Sequence, residues 1–276
     1  MELSLGFSPC PNDAFIFDAM IHKKIDLEGI SFKVYMEDVE TLNRRALAKE
    51  LDVSKLSFHA LGYLIDDYVL LDSGAALGNN CGPLLIAKKE CTKEEINQSL
   101  IAIPGKYTTA NFLFSLAYPE AKHKKEMAFS AIEHSVIAND VKAGVIIHEN
   151  RFTYERRGLV KIIDLGEYWE KLTGLPIPLG GIVVKRRLPE ELQLKINRIM
   201  RRSVEYAFAY PESSKSFVKE HAQEIEEEIT RKHIDLYVNN YTLGLGKKGR
   251  DAVSHLFAMA RDLGITPIFK SNIFIN

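Results

Sequence analysis

LSLGFSPCPNDAFIFDAMIHK, residues 3–23, sets out a strand, a stiff loop and a helix in one stretch. LSLGF (3–7) is a short apolar strand, and DAFIFDAMIHK (13–23) winds as a helix with Asp13 near its N-terminus. Between them Pro9 and Pro11 fix their own φ and restrict the residues before them, so the connection is rigid. The chain therefore opens on a βα unit, and the same alternation runs outward from it. ISFKVYME (30–37) alternates as a strand does and VETLNRRALAKE (39–50) is helical. DVSKLSF (52–58) returns to a strand, HALGYLI continues as a helix, and YVLLDSG and GPLLIAKK are strands. SLIAIPG (99–105) is a strand, TTANFLFSLAY (108–118) a helix, and AGVIIHE (143–149), LVKIIDLG (159–166) and GGIVVKRR (180–187) are strands. After residue 188 the pattern changes to helices in series: 191–212, 213–225, 226–241 and 248–264.

Strands alternating with helices predict parallel pairing and a doubly wound α/β layer. The charged stretches KKECTKEE (88–95) and RRLPEE (186–191) mark the expected internal boundaries. They divide the chain into a larger discontinuous lobe, residues 1–91 and 187–276, and a smaller α/β lobe, residues 92–186. A ligand cleft is expected between the lobes, outside the carboxyl ends of the strands.

The chain has 276 residues, 46% hydrophobic and 26% charged, with a formal net charge of −1. Those values suit a soluble globular protein and argue against a general nucleic-acid binder. No run approaches the ~18 apolar residues that span a bilayer. The N-terminus enters LSLGF without a basic segment, so no signal peptide and no membrane insertion are expected. Cys10, Cys81 and Cys91 are odd in number and form no CxxC, which points to a reduced, cytoplasmic protein.

Four loops that follow strands carry polar groups beyond what a connector needs. In SPCPND (8–13), Asn12 or Asp13 can cap the next helix, and the same exposed amides suit an anionic group. Cys10 as a nucleophile requires a base partner that the sequence does not place. In SKLS (54–57), Lys55 and its two neighbouring hydroxyls can hold a carboxylate, or be a solvated lysine with caps. In PGKYTTA (104–110), Gly105 permits close backbone approach, and Thr108 or Thr109 caps a helix whose amides suit an anion. The spacing is not that of a phosphate-binding GxxxxGK[ST] loop. In VIIHEN (145–150), an apolar strand ends in His148, whose ring titrates near neutrality and suits a general base, or else is bonded within the fold. Glu149, its neighbour on a strand, points to the opposite face. The remaining histidines lie on helical or charged segments and read as surface or structural. No HExxH and no GxGxxG after a strand occurs, so neither a metal nor a dinucleotide is expected.

Taken in order, SPCPND, MEDVETLNR (36–44), SKLSF (54–58), the loop at 105–110 and IIHENRFTY (146–154) resemble one family. DLGEYWEKLTGLPIPLGGI (164–182) and RRSVEYAFAYPE (201–212) extend the likeness over nearly the whole chain. It is that of the 1,4-dihydroxy-6-naphthoate synthases of the futalosine route to menaquinone. The sequence departs from many members at Ala14, where threonine is common. The resemblance implies a two-lobed α/β fold like the periplasmic binding proteins of the second type. It implies lysis of cyclic dehypoxanthinyl futalosine, a small-molecule substrate, with no metal or organic cofactor and with lobe closure excluding water. The catalytic base carries over to His148, and substrate contacts to Lys55, Leu56, Ser57, Thr108 and Thr109, with Asn12 and Asp13 as pocket wall. Two other readings stay open. One is the chorismate dehydratase of the same pathway, and the other a non-catalytic solute-binding module.

Overall fold

The computed structural model describes residues 1–222 and 226–275. The chain divides into two compact units, Met1–Gly78 with Pro178–Asn276, and Asn79–Ile177.

The larger unit begins with β1 (Glu2–Phe7), α1 (Pro11–Ile21), β2 (Ser31–Met36), α2 (Val39–Leu47), β3 (Val53–Ser57), α3 (Phe58–Leu61), β4 (Tyr68–Leu70) and β5 (Ala76–Gly78). In the smaller unit follow β6 (Leu84–Ala87), α4 (Lys93–Gln98), β7 (Ile101–Ile103), α5 (Thr109–Ala117), β8 (Lys124–Glu126), α6 (Phe129–Ile137), β9 (Ala143–Ile146), β10 (Val160–Asp164) and α7 (Leu165–Thr173). The strand β11 (Ile177–Lys185) returns to the larger unit. There α8 (Glu190–Ala209), α9 (Lys215–His221), α10 (Glu227–Tyr237), α11 (Asn240–Leu243) and α12 (Gly246–Asp262) follow. The last part of the helix expected over 213–225, at 223–225, lies outside the described residues.

In the larger unit the strand order is β2-β1-β3-β11-β4, with β5 on β11. β1 runs parallel to β2 and β3, with Leu5 opposite Val53 and Gly6 opposite Ser54. β11 runs antiparallel to both β3 and β4. In the smaller unit the order is β10-β6-β9-β7-β8, with β7 parallel to β8 and β9, and β6 antiparallel to β9 and β10. The expected parallel pairing holds for β1 with β2 and β3 and for β7 with β8 and β9, and is corrected for β11, β6 and β10, which pair antiparallel: both sheets are mixed. Apolar strand runs give burial but not direction, and direction here is set by strands that enter from the other unit's side of the chain.

The unit boundaries also differ in place from the charged stretches. β6 pairs with β9 and β10, so it belongs to the smaller unit. KKECTKEE covers the turn after β6 and the first residues of α4, and RRLPEE the turn after β11 and the first residues of α8. Charge marks solvated turns inside each unit rather than the passage between units.

α1 is apolar on nearly every side, with Ala14, Ile16, Phe17, Ala19 and Met20 all buried. It packs against α8, α9 and α10, so helices that follow β11 enclose the first helix. The Phe7 and Phe17 rings stack at 4.5 Å, joining strand and helix across the rigid loop. Burying each such side chain contributes about 1.5–3 kcal/mol. The smaller unit has its own core of Leu84, Ile86, Ala102, Ile132, Val136, Ile146 and Tyr154.

Candidate active site

In the larger unit, the loop after β1 and the end of β3 meet. They are neighbouring parallel strands, so their carboxyl ends lie side by side. Lys55 Nζ lies 2.7 Å from Asp13 Oδ1, and both side chains are almost fully buried. Asp13 Oδ1 also accepts from Asn12 Nδ2 at 3.0 Å, and Oδ2 accepts from the Ser8 hydroxyl at 2.7 Å and the Ser8 amide at 3.2 Å. Four donors therefore hold one carboxylate. This corrects the expected helix cap: Cys10 occupies the cap position of α1, and Asp13 reaches back to Ser8 and across to Lys55 instead. It also alters the picture of Lys55 as a lysine awaiting a carboxylate, because the carboxylate it holds is Asp13's. The amides of this loop are enclosed rather than exposed, since Ser8, Cys10, Asn12 and Asp13 are all buried.

Ser57 ends β3, and its hydroxyl caps nothing in α3. It accepts from Asn43 Nδ2 at 3.2 Å, while the Ser57 amide donates to Asn43 Oδ1 at 3.0 Å. Leu56 is buried in the sheet, and its carbonyl would lie 2.6 Å from any Cβ placed on Gly180 of β11. Glycine at 180 is what allows β11 to lie so close to the Lys55–Ser57 segment.

The smaller unit holds the other expected residues. β7 and β9 are adjacent and parallel, with Ile101 opposite Ala143. The loops that leave them, 104–108 and 147–153, therefore emerge at the same end of one sheet. Thr108 caps α5: its hydroxyl oxygen accepts from the Asn111 amide at 3.2 Å and its hydroxyl hydrogen goes to the Gly105 carbonyl at 2.8 Å. Thr109 is the first residue of α5 and is buried. β8 braces this turn, because Glu126 accepts from the Lys106 amide at 3.1 Å. Lys124 donates to Asn111 at 3.0 Å, which in turn donates to the Lys106 carbonyl at 2.8 Å. Burial lowers the pKa of Lys124, with Lys122 adding to the effect.

His148 is not on the strand. β9 stops at Ile146, Ile147 is extended, and His148 turns into the left-handed region with φ of 60° at the head of a 3₁₀ turn, His148–Phe152. The strand argument that set Glu149 on the opposite face therefore does not apply. A left-handed, non-glycine residue costs about 1–2 kcal/mol and persists where surrounding structure enforces it. Arg151 anchors the same turn. Its guanidinium donates to the Gly82 carbonyl and, at 2.7 Å, to Asp164 Oδ2. Asp164 is itself fixed, capping α7 through the Gly166 and Glu167 amides. The Phe129 ring meets the imidazole edge-on, with centroids 4.8 Å apart. Behind the turn, Glu133 is fully enclosed and pairs with Arg157 at 3.1 Å; burial raises its pKa against the pull of Arg157 and Asn150.

Sequence reasoning passed over three residues. Asn43 and Asp164 lay within quoted motifs. His233, read as surface or structural, is completely buried on α10 and lies 2.9 Å through Nε2 from Asn12 Oδ1. Of the thiols, Cys81 is excluded as a nucleophile, because burial pushes its pKa to about 12.

The chain matches a family described as menaquinone biosynthesis over residues 3–262. It belongs to that family. It is 43% identical over 273 residues to the 1,4-dihydroxy-6-naphthoate synthase of Thermus thermophilus, covering 99% of each chain. It is 38% identical to the synthase of that name from Streptomyces coelicolor, covering 96% of this chain and 95% of the relative. A crystal structure of an Archaeoglobus fulgidus protein superposes with a TM-score of 0.90 at 35% identity, over 96% of this chain and 98% of that one. The alkanesulfonate-binding protein SsuA of Xanthomonas axonopodis aligns with a TM-score of 0.69 at 12% identity, over 97% and 94% of the two chains. That last likeness shows the fold alone, and the fold is the α/β fold of the periplasmic binding proteins. No helix among the described residues is long and apolar enough to cross a membrane.

Proposed function

We propose that the chain is a lyase that converts cyclic dehypoxanthinyl futalosine to 1,4-dihydroxy-6-naphthoate in menaquinone biosynthesis. What supports this reading is kinship over nearly the full length to two such synthases, together with the loops that carry Thr108 and His148 leaving the same end of one sheet. Forming the aromatic naphthoate supplies much of the driving force. The protein must then remove a carbon-bound proton and stabilise the charge that develops on oxygen. His148 accepts the proton. Its turn is clamped by Arg151, so the imidazole is held rather than left to search. The α5 N-terminus, with Thr108 as its cap and Thr109 as its first residue, offers amide donors to an oxyanion or carboxylate. Lys55, Leu56 and Ser57 are the larger unit's substrate contacts, with Asn12 and Asp13 behind them. Cys10, Cys81 and Cys91 form no disulfide among the described residues, which suits a reducing cytoplasm.

Incubation with cyclic dehypoxanthinyl futalosine tests the assignment, with the naphthoate chromophore as readout. The expected result is its appearance with protein alone. Turnover of chorismate in its place would make the chain a dehydratase. Tight binding of the futalosine derivative without turnover would make it a solute-binding module.

A further inference from the structure

His233 is a buried histidine to which the proposed proton transfer assigns no step. It projects from α10, which packs on α1, and its ring lies 4.7 Å from that of Tyr237. Its Nε2 touches Asn12 Oδ1, and what lies beyond Asn12 fixes the direction of every hydrogen bond in the chain. Asp13, ion-paired with Lys55, can only accept. Asn12 must therefore turn its NH2 group to Asp13, at 3.0 Å, and its carbonyl oxygen to His233. A carbonyl oxygen also only accepts, so Nε2 of His233 carries a hydrogen. With the amide so locked, Asn12 supplies one of the four donors on Asp13, and Asp13 Oδ1 in turn fixes the Lys55 ammonium at 2.7 Å. Without the His233 donor, Asn12 still turns its NH2 group to Asp13 but loses the partner that pins its carbonyl oxygen, so the amide beside the lysine's counter-ion is held at one end only.

We propose that His233 is a positioning residue for Lys55, acting from the C-terminal helices through Asn12 and Asp13. This rests on the reading of Lys55 as a substrate contact. Loss of the Nε2 donor weakens substrate binding while leaving the proton transfer at His148 largely intact, so the effect falls on KM rather than kcat.

The test compares His233→Leu, which has no donor, with His233→Gln, whose amide nitrogen reaches about as far as Nε2. With the leucine variant KM for cyclic dehypoxanthinyl futalosine should rise about tenfold, with kcat within about twofold, as loss of one buried hydrogen bond implies. The glutamine variant should return KM to within about threefold of wild type. A purely packing role would leave both variants equally impaired, and that result, or a wild-type KM for His233→Leu, overturns the proposal. Nitrogen-15 NMR of the wild-type histidines needs no variant and no substrate. A hydrogen on Nε2 of His233 is expected, and a bare Nε2 overturns the lock. Lys55→Met, assayed alongside, should raise KM at least as much. An unchanged KM there overturns the substrate reading of Lys55, a failure read separately from the His233 tautomer.

Discussion

Asp13 concentrates more bonding than any other expected site residue. Two oxygens accept from Ser8, Asn12 and Lys55 in an enclosed place, where each unmade bond is costly. The pair is asymmetric, and the asymmetry is testable. Asp13→Ala strands a buried ammonium without the carboxylate that neutralises it, a loss of about 3–5 kcal/mol. Lys55→Met leaves Asp13 with the Ser8 and Asn12 donors and replaces the lysine stem with apolar bulk, so it should cost clearly less. Urea unfolding of both variants measures the difference, and equal losses would contradict the network as described. Little of this was visible in sequence. The prolines of SPCPND announced rigidity, and Asp13 looked like a cap because capping is a local pattern. Its partner Lys55 lies 42 positions along the chain, and His233 is 221 positions from Asn12, so no local spacing joins them.

Between elements, the decisive arrangement is the turn after β9. Its apolar strand was legible from AGVII, and so was His148 at the strand's end. The left-handed turn was not, because HENRF carries no glycine to signal it. Arg151 anchors it, reaching Gly82 just before β6 and Asp164 at the end of β10, contacts that only the folded sheet brings together. Arg151→Met should therefore lower kcat by about 10- to 100-fold, the scale of a misplaced catalytic group, with little change in KM. Steady-state kinetics with a thermal melt checks this. An unchanged kcat in a folded variant would remove Arg151 from the positioning of His148. Four elements of the same unit, α4, β8, α6 and α7, went unread. KKE at 124–126 has no apolar residue to mark a strand, and FSAIEHSVI at 129–137 follows it without a side-chain cap at Ala128.

At the scale of the molecule, alternation of strand and helix gave the α/β class, and the run of helices after residue 188 was plain. Strand direction and the unit boundaries were not. β11 and β6 take their places through pairing with distant partners, and charged turns such as RRLPEE look the same within a unit as at its edge. Function was legible through long motifs in fixed order, and the kinship over residues 3–262 places the chain in menaquinone biosynthesis. The chemistry proposed for it depends on one side chain. His148→Asn keeps size and hydrogen-bonding capacity but cannot take up a proton near neutral pH. Turnover of cyclic dehypoxanthinyl futalosine by this variant, followed by the naphthoate chromophore, should fall by at least about 10²–10⁴-fold, the usual contribution of a general base, with ligand affinity retained. Turnover close to wild type would contradict the account, because some other group would then be removing the proton.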